Sequence, residues 1–203
     1  MTAHAGGLAA AILAGGQARR FGGVNKAALQ VGGRTIADRQ LAVLRRIADP
    51  VFVVGGDPAR WPEGVRIVAD AIAGAGALGG IYTAIIESPC ERTLVVGCDM
   101  PFLAPGFLQM LAAVDADAVI PRSERGYEPL CAVYGKACAE GIRARIERGD
   151  LHAAVLPSGV RVADIAPDVV AAYDRDGLLF VNVNTPHDYA RIVSLNLDDS
   201  PNS

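Results

Sequence analysis

Short apolar runs typical of buried strands alternate with runs of helical periodicity along this 203-residue chain. The first apolar run, Leu8–Leu13, predicts a strand, and the runs at residues 51–54 and 93–97 are continuous, as strands buried on both faces of a sheet are. This alternation predicts an α/β fold in which a mostly parallel sheet lies between helices on both faces. Ligands in such sheets bind beyond the carboxyl ends of the strands, so we expect functional residues in the loops that follow strands.

The same patterns predict the remaining elements. Thr35 and Thr185 each precede a helical run and are predicted to cap it, with Asp38 completing a capping-box pattern in the first case. We expect one domain over residues 1–195 and a polar, mobile tail at 196–203. Further strands are predicted at residues 51–54, 65–69, 118–120, 130–134, 160–163 and 178–181, and helices at 36–47, 78–87, 105–114, 136–148 and 186–195.

Composition excludes several classes of protein. The formal net charge of −3 argues against a dedicated nucleic-acid binder, which is usually basic. No apolar run approaches the roughly 20 residues of a membrane span, and no signal peptide precedes the first strand, so we expect a cytoplasmic protein. The four cysteines show no C-x-x-C spacing, which argues against a zinc site or a disulfide framework.

A glycine-rich loop follows the first strand, over residues 13–26. It contains two pairs of glycines, two arginines including Arg20, and Lys26 at its end. Glycines let backbone N–H groups approach an anion closely, and basic side chains neutralise its charge. The loop therefore indicates a nucleotide triphosphate site, although it has neither the Gly-Lys-Ser/Thr triplet of a P-loop nor the dinucleotide fingerprint. A flexible loop with solvated basic residues is the alternative interpretation.

Two aspartates follow later strands. Asp70 begins a segment rich in glycine and alanine that includes Gly79 and Gly80, where a flat ring system can approach the backbone or a helix can pack tightly on the sheet. Asp99 follows the run at 93–97, and Pro101 then turns the chain. A carboxylate in this position suits Mg²⁺, which prefers one or two carboxylates together with phosphates and water. A turn or cap aspartate is the alternative for Asp99.

Asn182 and Asn184 stand at alternate positions near the C-terminus, so in a strand they would share one face. Amide groups donate and accept hydrogen bonds and can therefore bind a heterocycle or a phosphate. A strand end followed by a capped helix explains the same residues without a ligand.

These segments together resemble a known family. The pattern Leu-Ala-Gly-Gly at residues 13–16 with Arg20 and Lys26 downstream, Cys-Asp-Met-Pro-Phe at 98–102, and Asn-Val-Asn-Thr-Pro at 182–186 are similar to the signatures of the MobA family of molybdenum cofactor guanylyltransferases. The resemblance covers about residues 8 to 193. It implies a Rossmann-like three-layer sandwich of the nucleotide-diphospho-sugar transferase type. The implied reaction transfers GMP from GTP to the phosphate of molybdopterin or molybdenum-molybdopterin and releases pyrophosphate, with Mg²⁺ as cofactor.

The resemblance also implies residue roles. Lys26, Arg20 and Asp99 would form the catalytic set, with Asp99 as the Mg²⁺ ligand. Asn182 and Asn184 would lie on the molybdopterin side, and residues 128–134 would help to form the wall of the acceptor pocket. The remaining nucleotide contacts would come from Leu13, Ala14, Gly15, Gly16, Asp70, Gly79 and Gly80.

Two departures leave base specificity open. Asn25 stands where many members carry aspartate, and Gly55-Gly56 replaces a position that often holds an asparagine facing guanine, a contact that Asp57 can supply instead. A molybdopterin cytidylyltransferase, a sugar-phosphate nucleotidyltransferase and a non-catalytic nucleotide-binding carrier of the cofactor are the alternatives. Transient contact with molybdoenzymes or cofactor-insertion proteins is a further expectation.

Overall fold

The computed structural model describes residues 7–15 and 26–195. Its centre is a mixed sheet with the strand order β10-β7-β9-β6-β1-β4-β5, to which β8 is added by pairing with β7. A separate two-stranded hairpin is formed by β2 and β3. The strands are β1 (Leu8–Leu13), β2 (Gln30–Val31), β3 (Arg34–Thr35), β4 (Val51–Val54), β5 (Arg66–Val68), β6 (Arg92–Gly97), β7 (Ala118–Ser123), β8 (Gly126–Tyr127), β9 (Cys131–Gly135) and β10 (Val162–Ile165).

The pairing gives the sheet one main direction. Strands β5, β4, β1 and β6 are parallel neighbours, and β7 and β10 are parallel to each other. Strand β9 runs antiparallel to both β6 and β7, so it is the reversed strand along this path. The carboxyl ends of β1, β4, β5 and β6 therefore meet at one edge of the sheet.

The central strands form where the sequence is continuously apolar. Strands β1 and β4 have the predicted bounds, and residues 9–12 of β1 are fully buried. Successive side chains of β1 point to opposite faces, because Ala10 and Ile12 join one core cluster whereas Ala9, Ala11 and Leu13 join the other. A strand that is apolar on both faces must be covered on both, and in a mainly parallel sheet the crossover helices supply the two layers.

Those two layers confirm the predicted three-layer sandwich. Helices α1 and α3 contribute Leu41, Leu44 and Phe107 to one core, while α2 and α4 contribute Ile81 and Ile142 to the other. The helices are α1 (Ile36–Leu44), α2 (Gly76–Glu87), α3 (Pro105–Ala113), α4 (Cys138–Glu147), α5 (Pro167–Ala171) and α6 (Pro186–Val193), with 3-10 turns at Lys26–Ala28 and Pro58–Arg60. No helix in the described ranges is long and apolar enough to span a membrane.

A third, smaller cluster joins the C-terminal helix to the region after the glycine-rich loop. Val31 and Ile36 pack there with Val183 and Ile192, and all four are almost fully buried. The Tyr189 hydroxyl also donates a hydrogen bond to the Gln30 carbonyl, at 2.9 Å. The segment that carries the two asparagines is therefore held beside the turn that carries Lys26.

One predicted strand is wrong. Residues 178–181 form a turn, because the Asp174 carboxylate accepts the amides of Leu178 and Leu179, and Val181 N–H bonds to the Leu178 carbonyl. These amides are then not available for a sheet. The apolar character of the segment comes instead from packing, since the ring of Phe180 meets that of Phe107 edge to face at 5.9 Å.

Other differences are at element ends or concern short elements. Helix α1 ends at Leu44 rather than at Ile47, and β10 begins at Val162 rather than at residue 160. The hairpin of β2 and β3, strand β8 and helix α5 were not predicted. The tail at 196–203 lies outside the described residues, and the single-domain boundary at 195 stays a prediction.

The cap of α6 is a measurable contribution to the fold. Thr185 Oγ1 accepts the Asp188 amide at 3.1 Å, and the Asp188 carboxylate accepts the Thr185 amide in return. We expect Thr185→Ala to lower the free energy of unfolding by about 1 kcal/mol in urea titrations, because one helix-end donor loses its partner. Ser194→Ala, at the other end of α6, is the control and should change stability by less than about 0.5 kcal/mol. Equal losses in both variants would contradict the capping role.

Candidate functional site

Backbone hydrogen bonds join the loops at the carboxyl edge of the sheet. The Cys98 amide bonds to the Leu13 carbonyl at 3.1 Å, the Ala14 amide to the Val54 carbonyl at 2.9 Å, and the Gly55 amide to the Val68 carbonyl at 2.8 Å. The loops after β1, β4, β5 and β6 are thus held together, and each of them carries a predicted site residue. The candidate site lies along this edge.

Lys26, Asp99 and Asn184 come together from three distant parts of the sequence. Lys26 Nζ donates to Asn184 Oδ1 at 2.8 Å and lies 3.9 Å from Asp99 Oδ2. The Lys26 and Asp99 side chains are each 21% exposed. The Val183 amide also donates to the Asp99 carbonyl at 2.9 Å, so the asparagine segment is fixed directly to the aspartate loop.

Asp99 holds its carboxylate in a poorly solvated place. Burial raises the pKa of Asp99 above its ordinary value, while Lys26 and a backbone hydrogen bond act in the opposite direction. A Cβ atom on Gly97 would lie 2.8 Å from Asp99 Oδ1, so the glycine leaves the room that the carboxylate occupies. Gly97 is not recognisable as a site residue from the sequence, because a glycine that ends a strand gives no sign of which side chain folds back over it.

Gly15, Gly55 and Asp70 form a second crowded place at the same edge. A Cβ atom on Gly15 or on Gly55 would lie 3.2 Å from Asp70 Oδ2, and one on Gly55 would also lie 3.1 Å from the Gly15 nitrogen. Gly55 has a positive φ of 72°, which disfavours any side chain. The Asp70 carboxylate therefore faces the exposed backbone of the first loop.

Gly79 and Gly80 are buried on α2, where they serve helix packing. A Cβ atom on Gly80 would meet Leu13 Cδ1 at 3.0 Å, and one on Gly79 would meet Ala75 Cβ at 2.6 Å. The Leu13 side chain lies in the core, and its carbonyl accepts the Cys98 amide. The nucleotide roles of Leu13, Gly79 and Gly80 stay predictions, and the contacts described support the packing alternative.

Asp57 has both carboxylate oxygens engaged. Oδ1 accepts the Ala59 amide at 3.0 Å as the cap of the turn Pro58–Arg60, and Oδ2 lies 3.3 Å from Arg60 Nε. A contact with guanine would have to replace or share these partners. That contact stays a prediction.

The two asparagines lie in different surroundings. Because residues 181–184 are not a strand, the expectation that Asn182 and Asn184 share a strand face is wrong. Asn184 is exposed and bound to Lys26, whereas Asn182 Oδ1 is buried and has no hydrogen-bond partner within the described part of the chain. Their assignment to molybdopterin stays a prediction. The structure places Asn184 beside Lys26, the lysine that is predicted to bind phosphate.

Gly16 and Arg20 lie outside the described residues, as does Asn25. Ala14 is described, and its amide is bound to the Val54 carbonyl. The structure therefore bears on the two ends of the first loop, Gly15 and Lys26, and the predicted roles of Gly16 and Arg20 stay predictions.

The residues at Asp99 fit a divalent ion that takes most of its ligands from a substrate. In residues 7–15 and 26–195, no three His, Cys, Asp or Glu side chains are grouped so as to hold a metal by themselves. A single carboxylate suits an ion such as Mg²⁺, which is commonly bound by one or two carboxylates plus phosphate oxygens. The nearby Lys26 ammonium group can pair with phosphate oxygens of the same substrate.

The crowding at Gly55 generates a test with a control in the same chain. Gly64 has a similar positive φ of 81°, but a Cβ atom there would meet nothing within 4 Å. Gly64→Ala should therefore cost about 1–2 kcal/mol for the backbone conformation alone. Gly55→Ala should cost about 1 kcal/mol more, because the methyl group also crowds Gly15 and Asp70. Chemical denaturation measures both, and equal costs would contradict the close packing of the two loops.

The pKa of Asp99 predicts how stability depends on pH. Because the folded-state pKa is raised, the carboxyl group stabilises the fold fully below its unfolded pKa and loses this contribution as pH rises through the folded pKa. Asp99→Asn resembles the protonated form, so we expect a higher midpoint of thermal unfolding at neutral pH without divalent ions. The difference should vanish towards about pH 4.

Asp176→Asn is the control for Asp99→Asn, since it removes the same charge at an exposed position. It should change the midpoint little at any pH. A lower midpoint for Asp99→Asn at neutral pH would show that the 3.9 Å pair with Lys26 outweighs the cost of burial.

Comparison with known proteins adds a family to this geometry. The sequence profile of the MobA-like NTP transferase domain matches residues 10–162. A "Molybdenum cofactor guanylyltransferase" from Desulfosudis oleivorans is 33% identical over 178 residues, covering 86% of this chain and 88% of the relative. A "Probable molybdenum cofactor guanylyltransferase" from Pelotomaculum thermopropionicum is 35% identical over 190 residues, covering 91% of this chain and 92% of the relative.

A solved structure agrees with the family profile and with the two relatives. The crystal structure of molybdopterin-guanine dinucleotide biosynthesis protein A from Archaeoglobus fulgidus superimposes with a TM-score of 0.77 at 25% identity, covering 92% of this chain and 97% of that one. Sequence and fold thus agree over nearly the whole described length. This chain belongs to the family of MobA-like NTP transferases.

Proposed function

We propose that this protein is a molybdenum cofactor guanylyltransferase, which transfers GMP from GTP to the phosphate of molybdopterin. The observation that carries the proposal is the meeting of Lys26, Asp99 and Asn184 at the carboxyl edge of a sheet of this family. The names of the two relatives at 33% and 35% identity support the choice of substrates.

The reaction exchanges one phosphorus–oxygen bond for another. An oxygen of the acceptor phosphate attacks the α-phosphorus of GTP, a bond forms there, and the bond to the β-phosphate oxygen breaks as pyrophosphate leaves. The nucleophile is already an anion, so no side chain has to remove a proton. The task of the protein is to position two phosphates that repel each other and to offset their charge.

Lys26 offsets that charge in this proposal. Its ammonium group donates one hydrogen bond to Asn184 Oδ1 and lies 3.9 Å from Asp99 Oδ2, which is an ion pair beyond hydrogen-bond distance. The hydrogen bond to Asn184 uses one of the three N–H donors of the lysine, and the others can be directed at phosphate oxygens. Because Asn184 is neutral, it orients the ammonium without cancelling its charge. Arg20, from the same loop, is proposed as the second cation, and Gly15 and Gly16 would approach the nucleotide through backbone N–H groups.

Asp99 is proposed to hold the divalent ion, and Mg²⁺ is proposed as that ion. The bound ion would supply Lewis-acid stabilisation of charge on the phosphate oxygens. Asp99 itself gains from this, since burial disfavours its charge and a cation at the carboxylate compensates. Asp70 is proposed to contact the nucleotide or to order the loop that follows it, because its carboxylate faces Gly15 and Gly55.

Asn182 is proposed to take part on the acceptor side. A buried amide oxygen without a partner in the described part of the chain is costly unless a ligand or another group supplies a donor. Molybdopterin carries ring N–H groups that can donate to it. Contact with molybdoenzymes and a cytoplasmic location stay predictions.

The proposal is tested by turnover with purified components. Pyrophosphate release should require molybdopterin and Mg²⁺ and should be faster with GTP than with CTP or ATP. Faster turnover of CTP would identify a cytidylyltransferase, and GTP binding without pyrophosphate release would identify a carrier.

The matched variants for this assay are Asp99→Ala and Asp176→Ala. Asp99→Ala should lower turnover by at least about 100-fold while the fold is retained, because charge stabilisation by a bound metal is worth several kcal/mol. Asp176→Ala, at an exposed position, should keep the wild-type rate. Normal turnover of Asp99→Ala at low Mg²⁺ would overturn the role of Asp99.

A further inference from the structure

Gln40 is a buried polar residue that holds the loop around Asp99 from the opposite side. It lies on α1 and is 1% exposed. Its Nε2 donates to the Gly97 carbonyl at 2.7 Å and to the Met100 carbonyl at 2.9 Å. These two carbonyls stand immediately before and after the Cys98-Asp99 pair, so one amide group fixes both ends of the turn that presents the carboxylate.

The orientation of this amide follows from its partners. Both neighbours are carbonyl oxygens, so the NH₂ group must face them, and the opposite orientation would place three acceptors together. Gln40 Oε1 is then buried, with no hydrogen-bond partner among residues 7–15 and 26–195. A buried acceptor without a partner costs about 1–3 kcal/mol. An apolar side chain would avoid this cost but would leave the Gly97 and Met100 carbonyls without this donor. What Gln40 contributes is therefore one group that binds both ends of the turn.

Helix α1 is also attached to the segment of Lys26. The amide of Ile36, its first residue, donates to the carbonyl of Leu29, directly after the turn Lys26–Ala28. Arg39, the neighbour of Gln40, donates to the carbonyls of Pro101 and Val31. One helix thus connects the backbone on the Lys26 side with the backbone on the Asp99 side.

The spacing of the two charged groups depends on this connection. Lys26 Nζ and Asp99 Oδ2 are 3.9 Å apart, a distance at which a small movement of either backbone changes the geometry offered to phosphate and metal. Displacements of about 1 Å in a reacting constellation can cost about 100-fold in rate. The Asp99 carboxylate is also held against Gly97, whose carbonyl is one of the two that Gln40 binds.

We propose that Gln40 is a positioning residue for Asp99: its amide sets the turn 97–100 so that the carboxylate can hold the divalent ion on the nucleotide. This inference rests on the proposed function. It adds a residue of α1 that touches neither substrate nor metal and acts through two backbone carbonyls.

The test measures how much Mg²⁺ contributes to GTP binding when no acceptor, and hence no turnover, is present. Calorimetry gives the dissociation constant of GTP with Mg²⁺ and with EDTA. The Mg²⁺ ratio, defined as the dissociation constant in EDTA divided by that in Mg²⁺, measures how much the metal strengthens binding. Gln40→Met keeps the size of the side chain but removes both donors. It should lower this ratio at least about fivefold relative to wild type, while binding in EDTA, which depends on Lys26, changes less than about twofold.

Arg92→Met is the matched control. Arg92 is also buried on the sheet and donates to two backbone carbonyls, those of Ala112 and Val114, and it too has one buried nitrogen without a partner in the described residues. It stands at the other end of β6, about 16 Å from Gly97 along the strand. Arg92→Met should lower the thermal midpoint yet leave the Mg²⁺ ratio at the wild-type value.

The outcomes separate this inference from the function on which it rests. A lower thermal midpoint for Gln40→Met with an unchanged Mg²⁺ ratio would overturn the positioning role. A wild-type protein that binds GTP equally with and without Mg²⁺ would overturn the role of Asp99 and this inference with it. Asp99→Asn should bring the Mg²⁺ ratio to about one, because the proposed metal ligand is removed. Should Gln40→Met not fold, Gln40→Asn, whose amide is one methylene too short to bridge both carbonyls, must show the same loss of ratio.

Discussion

Burial of the central strands on both faces is the constraint on which the rest of the structure depends. Since β1, β4 and β6 are covered by helices above and below, most of their side chains are apolar. The buried polar side chains of these strands, Arg92 and Thr93, stand at the amino end of β6. Backbone hydrogen bonds between the loops then fix the carboxyl ends of these strands relative to one another. The relative positions of the site loops are therefore set by the pairing of the strands from which they emerge.

Much of this arrangement is encoded locally and some of it is not. Strands β1 and β4 were predicted with their observed bounds because continuous hydropathy is a property of adjacent residues. Residues 178–181 are equally apolar but form a turn, because the Asp174 carboxylate takes the amides that a strand would need. The motifs selected Lys26 and Asp99 as candidates, and the structure brings the two side chains together. Gln40 carries no such signal, since the carbonyls it binds lie about 60 positions away in sequence.

The position of Asp99 combines two opposing demands. A carboxylate that is to compete for a metal must be ionised, yet the surroundings of Asp99 raise its pKa. The Lys26 charge lowers the free-energy cost of keeping the Asp99 carboxylate ionised. It offsets the carboxylate charge only in part, because the two groups are 3.9 Å apart and both remain partly exposed. The carboxylate is thus not saturated by its protein partners, and a cation brought by a substrate would find an acceptor that gains from its charge.

The reversed strand β9 divides the edge of the sheet into two structurally different halves. On one side, loops that follow parallel strands lead into α1, α2 and α3; on the other, the chain arrives through the hairpin of β7 and β8 and enters β9 at the same edge, where the Gly97 amide binds the Leu130 carbonyl. Surface connections tolerate changes of length and sequence more easily than the strands and helices they connect. A change in the connection between β7 and β9 would therefore leave the pairing of β1 with β6, and with it the backbone that carries Asp99, in its present register.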